Sequence, residues 1–376
     1  MKNSFWQKEG VRSVLASLLS IVIGLLAGSV IIVIVGCATP SLGFKSAWEG
    51  VRLVMLGLFS KGRDAVGNLV FGFNPSSVGN MLFRATPLIM TGLSVAVAFK
   101  TGLFNIGAPG QYLAGTAATL FIALSIPVSV LPGWLIWMLA FAGGMLAGAL
   151  WGFIPAWFKA RFSTNETLFT LMMNYVAIQI VACCVNIWRG QASSLGKLNM
   201  KSKAGWFPQI MGQRYTINLI VVVALTIIMY CYLRYSKQGY EISVVGESEN
   251  TARYAGINVG KVIIRTMILS GALCGLTGFL IVGGRDQAIS TGTAGGNGFT
   301  AIIVAWLAKF NTFTMALISF LLIFLEKGAA EIASAYNLND FASDIIAGVI
   351  LFFILGSEFF INYKAIFRGH AGKEVC

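Results

Sequence analysis

"ATPLIMTGLSVAVAFKTGLFNIGAPGQYLAGTAATLF", Ala85 to Phe121, joins two apolar runs through a polar break. The first run carries no charge from Ala85 to Phe99; then Lys100, Gly102, Asn105, Gly107, Pro109, Gly110 and Gln111 arrive where a membrane helix would ordinarily continue. Unwound backbone exposed to hydrocarbon leaves its amides and carbonyls without partners. Such a break therefore survives at membrane depth only where it is packed in protein or lines a cavity. Two readings stay open from these residues alone: a solute path, or glycines (Gly107, Gly110, Gly115) that let helices approach closely.

The rest of the 376-residue chain agrees with a membrane setting. It is 57% hydrophobic and 11% charged, outside the usual composition of a soluble domain. A spanning helix needs about 20 apolar residues. Candidate stretches fall at 14–38, 81–99, 111–126, 132–154, 166–185, 216–233, 262–282, 298–309, 313–333 and 343–361. The expectation is an all-α polytopic membrane protein of about ten spans, forming a single membrane domain over 1–376. Lys2, Lys8 and Arg12 ahead of an apolar run ending in "IVGC" (Ile34 to Cys37) imitate a lipoprotein cleavage site. That run is longer than a signal-peptide core, so the reading is a retained first span.

The six cysteines show no metal-ligand spacing and the only histidine is His370. No metal site, disulfide framework or catalytic group is indicated, and the chain is read as a non-enzyme. Its 27 Lys and Arg against 14 Asp and Glu are scattered through short loops, which suits lipid headgroups and protein partners and not nucleic acid. Loop charges favour cytoplasmic N- and C-termini only weakly, because basic residues stand on both sides.

A second glycine-rich break, "GTAGGNGFTAIIVAWLAKF" (Gly292 to Phe310), echoes the first when Tyr112 is set on Phe299 and Ala114 on Ala301. Halves of about 1–190 and 191–376, with breaks facing opposite sides, would make an inverted repeat. In these breaks Asn105 and Gln111 offer amides, Phe104 and Tyr112 offer ring faces, and an uncharged, partly aromatic solute suits them better than an ion. "STNETLFTLMMNYVAIQ" (Ser163 to Gln179) reads as a capped helix, Ser163 followed by Glu166, placing Asn174 and Gln179 in the membrane; Gln179 is read as a contact between helices. Between spans, residues 234–262 form a cytoplasmic segment, in which Ser248 is a helix N-cap, Glu249 favours the N-terminus and Gly256 is a stop. The helix so bounded carries Ala252, Arg253, Tyr254 and Ala255, and suits a partner's groove or a membrane surface. Ionisable residues late in the chain, Lys327 with Glu331 or Asp344, raise an ion-coupled secondary transporter as the alternative of another class. No Walker-type phosphate loop occurs, so ATP chemistry would belong to another chain.

The stretches Ala85 to Gln111, Asn165 to Ala177, Val245 to Gly278 and Gly298 to Asn311 resemble the permease family of bacterial ABC importers for simple sugars, branched-chain amino acids and nucleosides, most closely its nucleoside-type branch. The resemblance implies a dimeric core in the bacterial cell (inner) membrane, built with a second permease subunit, either a paralogue or a copy of this chain. Below it would stand ABC ATPase subunits that hold ATP and magnesium, and above it a solute-binding lipoprotein or periplasmic protein; no cofactor is bound by this chain. It implies a solute path along Phe104, Asn105, Gly107, Gly110, Gln111, Tyr112, Asn174, Asn297 and Phe299. It further implies ATPase coupling through one helix over Glu247 to Ile257, including Ser248, Glu249, Ala252, Arg253, Tyr254, Ala255 and Gly256. Family members commonly carry Glu where Pro109 stands, Arg where Ser243 stands, and Asn-Pro where Ser248 and Glu249 stand. The cargo implied is a nucleoside, with riboflavin or a simple sugar as alternatives.

Overall fold

A computed structural model describes residues 60–63, 69–71, 75–127, 129–189, 215–290 and 295–335, with short pieces at 195–196, 199, 205–208 and 292–293 and isolated later positions. The candidate spans at 14–38 and 343–361, and Asp344, lie outside the described residues, as does the side chain of Glu331.

Ten α-helices are described, and a π-helical turn, Ile281–Arg285, continues the eighth of them. They are α1 (Pro75–Lys100), α2 (Ala108–Ser125), α3 (Gly133–Phe162), α4 (Glu166–Arg189), α5 (Thr216–Tyr235), α6 (Lys237–Glu247), α7 (Glu249–Tyr254), α8 (Val259–Leu280), α9 (Asn297–Leu307) and α10 (Thr312–Ala335). The described membrane part is thus helical, and five stretches are long and apolar enough to span: 78–100, 133–162, 166–189, 216–235 and 259–285. One feature departs from the all-α expectation. Ser60–Arg63 (β1) pairs antiparallel with Leu69–Phe71 (β2), a two-stranded ribbon whose second strand, "LVF", joins a β-branched to an aromatic residue ahead of α1. Contacts group Pro75–Ile323 as one compact unit; the ribbon and the last part of α10 belong to another.

Inside the 75–323 unit, α1 and α8 form the core, each 83% buried across its apolar window, whereas only 22% of the corresponding window of α3 or α4 is buried. Small residues explain the difference. On α3 the buried positions Ile136, Ala140, Gly144, Gly148, Gly152 and Ala156 recur every fourth residue and make a nearly flat stripe. Against it lie Gly271 and Gly275 of α8. A Cβ on Gly148 would stand 2.7 Å from the Gly275 amide nitrogen, and one on Gly278 would stand 2.5 Å from the Thr116 nitrogen of α2. Backbone therefore touches backbone along this seam, gaining dispersion contact where lipid supplies no hydrophobic drive. The outward faces carry Leu146, Leu150, Trp157, Ile180 and Ile227, all exposed, as a lipid-facing surface requires.

Candidate functional site

The first break begins as α1 ends. Thr101 and Gly102 turn back onto the last turn of α1, and Gly102 takes φ +78°, a left-handed conformation that glycine adopts without strain. Residues 103–105 then run without helix or strand, the Asn105 and Ile106 amides donating to the Leu103 and Phe104 carbonyls, to the start of α2, whose N-cap is Gly107 and whose first turn holds Pro109, where no amide is missed.

The side-chain amides of this unwound stretch and several of its backbone groups find partners inside the protein. The Gly107 amide donates to Asn105 Oδ1 at 3.0 Å; the Gly110 amide donates to Asn174 Oδ1 at 2.8 Å, and Asn174 Nδ2 donates to the Ile106 carbonyl at 2.9 Å. Asn105 Nδ2 donates to Ser270 Oγ of α8 at 3.0 Å and to Gln111 Oε1 at 3.2 Å. Ser94 of α1 completes the cluster, bonded to Ser270 and receiving the Cys274 thiol at 3.0 Å. Asn105, Gln111 and Asn174 are all buried, so in this conformation their amides are engaged by the chain itself.

The second break meets the first. The Tyr112 hydroxyl donates to the Thr293 carbonyl at 3.1 Å. Gly298 lies so close to Pro109 that an added Cβ would stand 2.6 Å from the proline Cδ. Of the implied path residues, Tyr112 is buried, Gly107 and Gly110 are buried against Thr170 and Asn174, Asn297 is half-buried, and Phe104 and Phe299 are exposed. Sequence reasoning missed Ser94, Ser270 and Cys274, small polar residues within apolar helices whose only signal was their polarity at membrane depth. It also read Gln179 as a contact between helices. Gln179 is exposed, because the buried face of α4 is Thr170, Asn174, Ala177 and Val181, and Gln179 falls off that face.

The capping pattern at Ser163 is corrected as well. Ser163 ends α3 in the left-handed region at φ 52°, and Asn165 Oδ1 accepts from the Leu168 amide at 3.2 Å, so Asn165 caps α4. Glu166 instead pairs with Lys159 at 2.8 Å, tying α3 to α4.

In the segment 234–262, Ser248 Oγ accepts from the Thr251 amide at 3.3 Å and Gly256 follows α7 with φ +75°. Both helix signals in the sequence therefore sit where they were read. The single helix over Glu247 to Ile257 is not found: Glu247 ends α6, and the extended backbone of Ser248 makes an elbow before α7. Ala252 is fully buried and anchors α7, whereas Arg253, Ala255 and Gly256 are exposed and Tyr254 is 94% exposed. Glu249 pairs with Arg253 along α7 at 3.3 Å, and Glu241 of α6 pairs with Arg265 of α8 at 2.8 Å. Between α7, the end of α3 and the start of α8 lies a polar cleft of about 470 Å³ lined by Lys159, Ser163, Glu249, Arg253 and Asn258. Gly246, two residues before the elbow, rests on the Lys100 carbonyl, and Gly102 lies 3.7 Å from the Gly246 Cα by its would-be Cβ. The elbow thus bears directly on the chain that opens the first break.

Comparison with known proteins gives this geometry its setting. The chain is 31% identical over 348 residues to a guanosine ABC transporter permease protein of Bacillus subtilis, covering 91% of this chain and 93% of that one. It is 29% identical over 379 residues to a nucleoside ABC transporter permease protein of Lactococcus lactis, covering 96% and 97%. It is 30% identical over 342 residues to a glucose ABC transporter permease protein of Haloferax volcanii, covering 87% and 89%. Residues 77–355 match the family described as the permease component of the branched-chain amino acid transport system, and this multi-pass membrane chain belongs to that family.

Proposed function

We propose that this chain is the translocation subunit of an ATP-driven importer whose cargo is a nucleoside, moved by alternating access. Membership of the permease family supports the importer reading, with ATP hydrolysed by a separate ATPase and solute delivered by a binding protein. The nucleoside cargo rests on the relatives named for guanosine and nucleosides, which align over nine-tenths of this chain or more. The glucose permease relative keeps a simple sugar as the second reading.

The single observation that carries the mechanism is the meeting of the two breaks at Pro109 and Gly298. The first break enters beside the end of α1, next to the cytoplasmic elbow; the second returns from beyond Arg285, at the other end of α8. Two unwound segments entering from opposite ends and meeting between them support an inverted repeat of two halves, with about ten spans, cytoplasmic termini and solute passing near the junction. A second permease subunit completes the path in this reading. The exposed side of α7, with Tyr254, Ala255 and Arg253, docks in the ATPase. Movement of α7 passes through Gly246 to Lys100 and so to the first break.

Three measurements test this. Proteoliposomes holding the permease, its ATPase and its binding protein should take up labelled guanosine with ATP, with competition by other nucleosides and none by glucose; import of glucose alone would transfer the cargo to the second reading. Tyr254→Ala should leave the permease folded while lowering solute-dependent ATP hydrolysis about tenfold, in line with loss of a central aromatic anchor at an interface. Unchanged coupling in that variant removes α7 from the ATPase contact. Uptake that collapses with a protonophore while ATP is held constant would instead establish ion coupling.

A further inference from the structure

Four aromatic rings outside the buried polar cluster gather where the first break leaves α1. Phe99 is the hub: its ring lies 5.5 Å from Phe104 in the break, 6.2 Å from Trp306 and 6.3 Å from Phe310 at the end of α9. Trp306 and Phe310 are 5.4 Å apart. Phe99 is buried, but Phe104 and Trp306 remain 47% and 52% exposed, an unusual retention of open ring surface beside a fully buried Asn105.

Lipid does not account for that surface. Residues 103–105 are unwound, and Asn105 is bonded to Ser270, eleven residues into α8, which is about 17 Å along a helix at about 1.5 Å per residue. Irregular backbone at that depth is not presented to hydrocarbon; it faces protein or a water-filled cavity. Of these two, the open side of Phe104, and of Trp306 that shares its hub, is assigned to the cavity, and contact with a second subunit is the outcome that the test below separates.

The backbone beneath the cluster carries its own signal. Lys309 and Phe310 are consecutive non-glycine residues in the left-handed region, with φ 48° and 58°. The turn is held by Phe310 donating to the Ala305 carbonyl and by Asn311 Oδ1 accepting from the Phe313 amide of α10, each near 3 Å. Strain of this kind persists where surrounding structure enforces it, and it gathers at ligand clamps and switch regions. Here it fixes the Phe310 ring against Trp306.

We infer that Phe104 and Trp306, backed by Phe99 and Phe310, form an aromatic clamp on the solute path, on which the planar base of the cargo stacks. Open ring faces recognise a purine or pyrimidine through stacking and offer little to a sugar, whose surface is non-planar and hydroxylated. The inference rests on the nucleoside reading and deepens it by assigning the base, and not the ribose, to these residues.

The test uses the permease assembled with its ATPase in nanodiscs, without the binding protein, and measures equilibrium binding of labelled guanosine and of ribose. Phe104→Leu and Trp306→Leu should each weaken guanosine binding about tenfold, the order expected for losing one base–aromatic stack, while Trp306→Phe stays within about twofold. Ribose binding should be the same in all variants. Leucine variants that bind guanosine as the wild type does, or leucine and phenylalanine variants that fall equally, overturn the clamp. So does a leucine variant whose only defect is lost subunit assembly with unchanged binding per assembled complex, which would make the rings a subunit contact. Guanosine import by the complete wild-type system is read separately: its failure sinks the nucleoside cargo, whereas import that persists alongside unaltered variants sinks only the clamp.

Discussion

Asn174 does for the first break what water does for a loop in solution. One amide satisfies the Gly110 N–H and the Ile106 carbonyl together. Asn174→Ala would leave both buried and unpaired, at about 1–3 kcal/mol each. Thermal unfolding in detergent should therefore show a clear loss of stability, and Asn174→Asp, whose carboxylate keeps the acceptor for Gly110 but sets a buried charge against the Ile106 carbonyl, should fall at least as far as Ala. Equal stability for all three would mean that the break is solvated. The glycines divide sharply at the same scale. Gly148→Ala forces a methyl onto the Gly275 backbone and should destabilise by about 1–3 kcal/mol. Gly92 in α1 has nothing within 4 Å of its would-be Cβ, so Gly92→Ala should stabilise by up to about 1 kcal/mol through helix propensity. The same substitution in two membrane helices thus has opposite signs, measurable side by side in one unfolding series.

Among elements, the elbow between α6 and α7 was the most legible part. Ser248 and Gly256 are residue types with one strong local use each, and local uses survive folding. Ser163 misled because two helices end and begin within four residues there. Serine, threonine and asparagine all compete for the cap, and the choice fell to Asn165 through backbone geometry that composition does not encode. Nor could sequence reveal that Ala252 points inward while Tyr254 points out, since a helix of six residues is too short to show its period. Gly246 joins this elbow to the first break, and its would-be Cβ falls onto the Lys100 carbonyl. Gly246→Ala should leave α7 and the ATPase contact in place but lower transport per ATP hydrolysed, read as the uptake to hydrolysis ratio in proteoliposomes. An unchanged ratio would show that motion reaches the path by another route.

For the whole molecule, apolar run lengths made the helical class readable, and 81–99, 132–154, 166–185, 216–233 and 262–282 each coincide with a membrane-length helix. The partnership between the breaks was only half legible. Their shared composition suggested likeness, but contact between Pro109 and Gly298 depends on the angles at which α2 and α9 cross, which no single segment specifies. If the halves rock about this junction, fixing it should stop the cycle. Pro109→Cys with Gly298→Cys, in a background without the native cysteines, should transport when reduced and stop when a disulfide forms, with folding intact by size-exclusion chromatography. Backbones this close at 298 and 109 suit the separation that a disulfide needs. Full transport by the oxidised protein would place the moving parts elsewhere.

The glycine seam between α3 and α8 has a consequence during biosynthesis. Its two faces are separated in the chain by α4 to α7, so the ribosome delivers one long before the other. Until α8 enters the bilayer, the Gly144, Gly148 and Gly152 face of α3 waits without the Gly271 and Gly275 backbone against which it fits. A nascent chain arrested before Val259 should accordingly be degraded quickly by membrane quality control, and one released after Leu280 should persist. The half-lives of the two products, followed by pulse-chase labelling, would time the moment at which this protein first acquires its core.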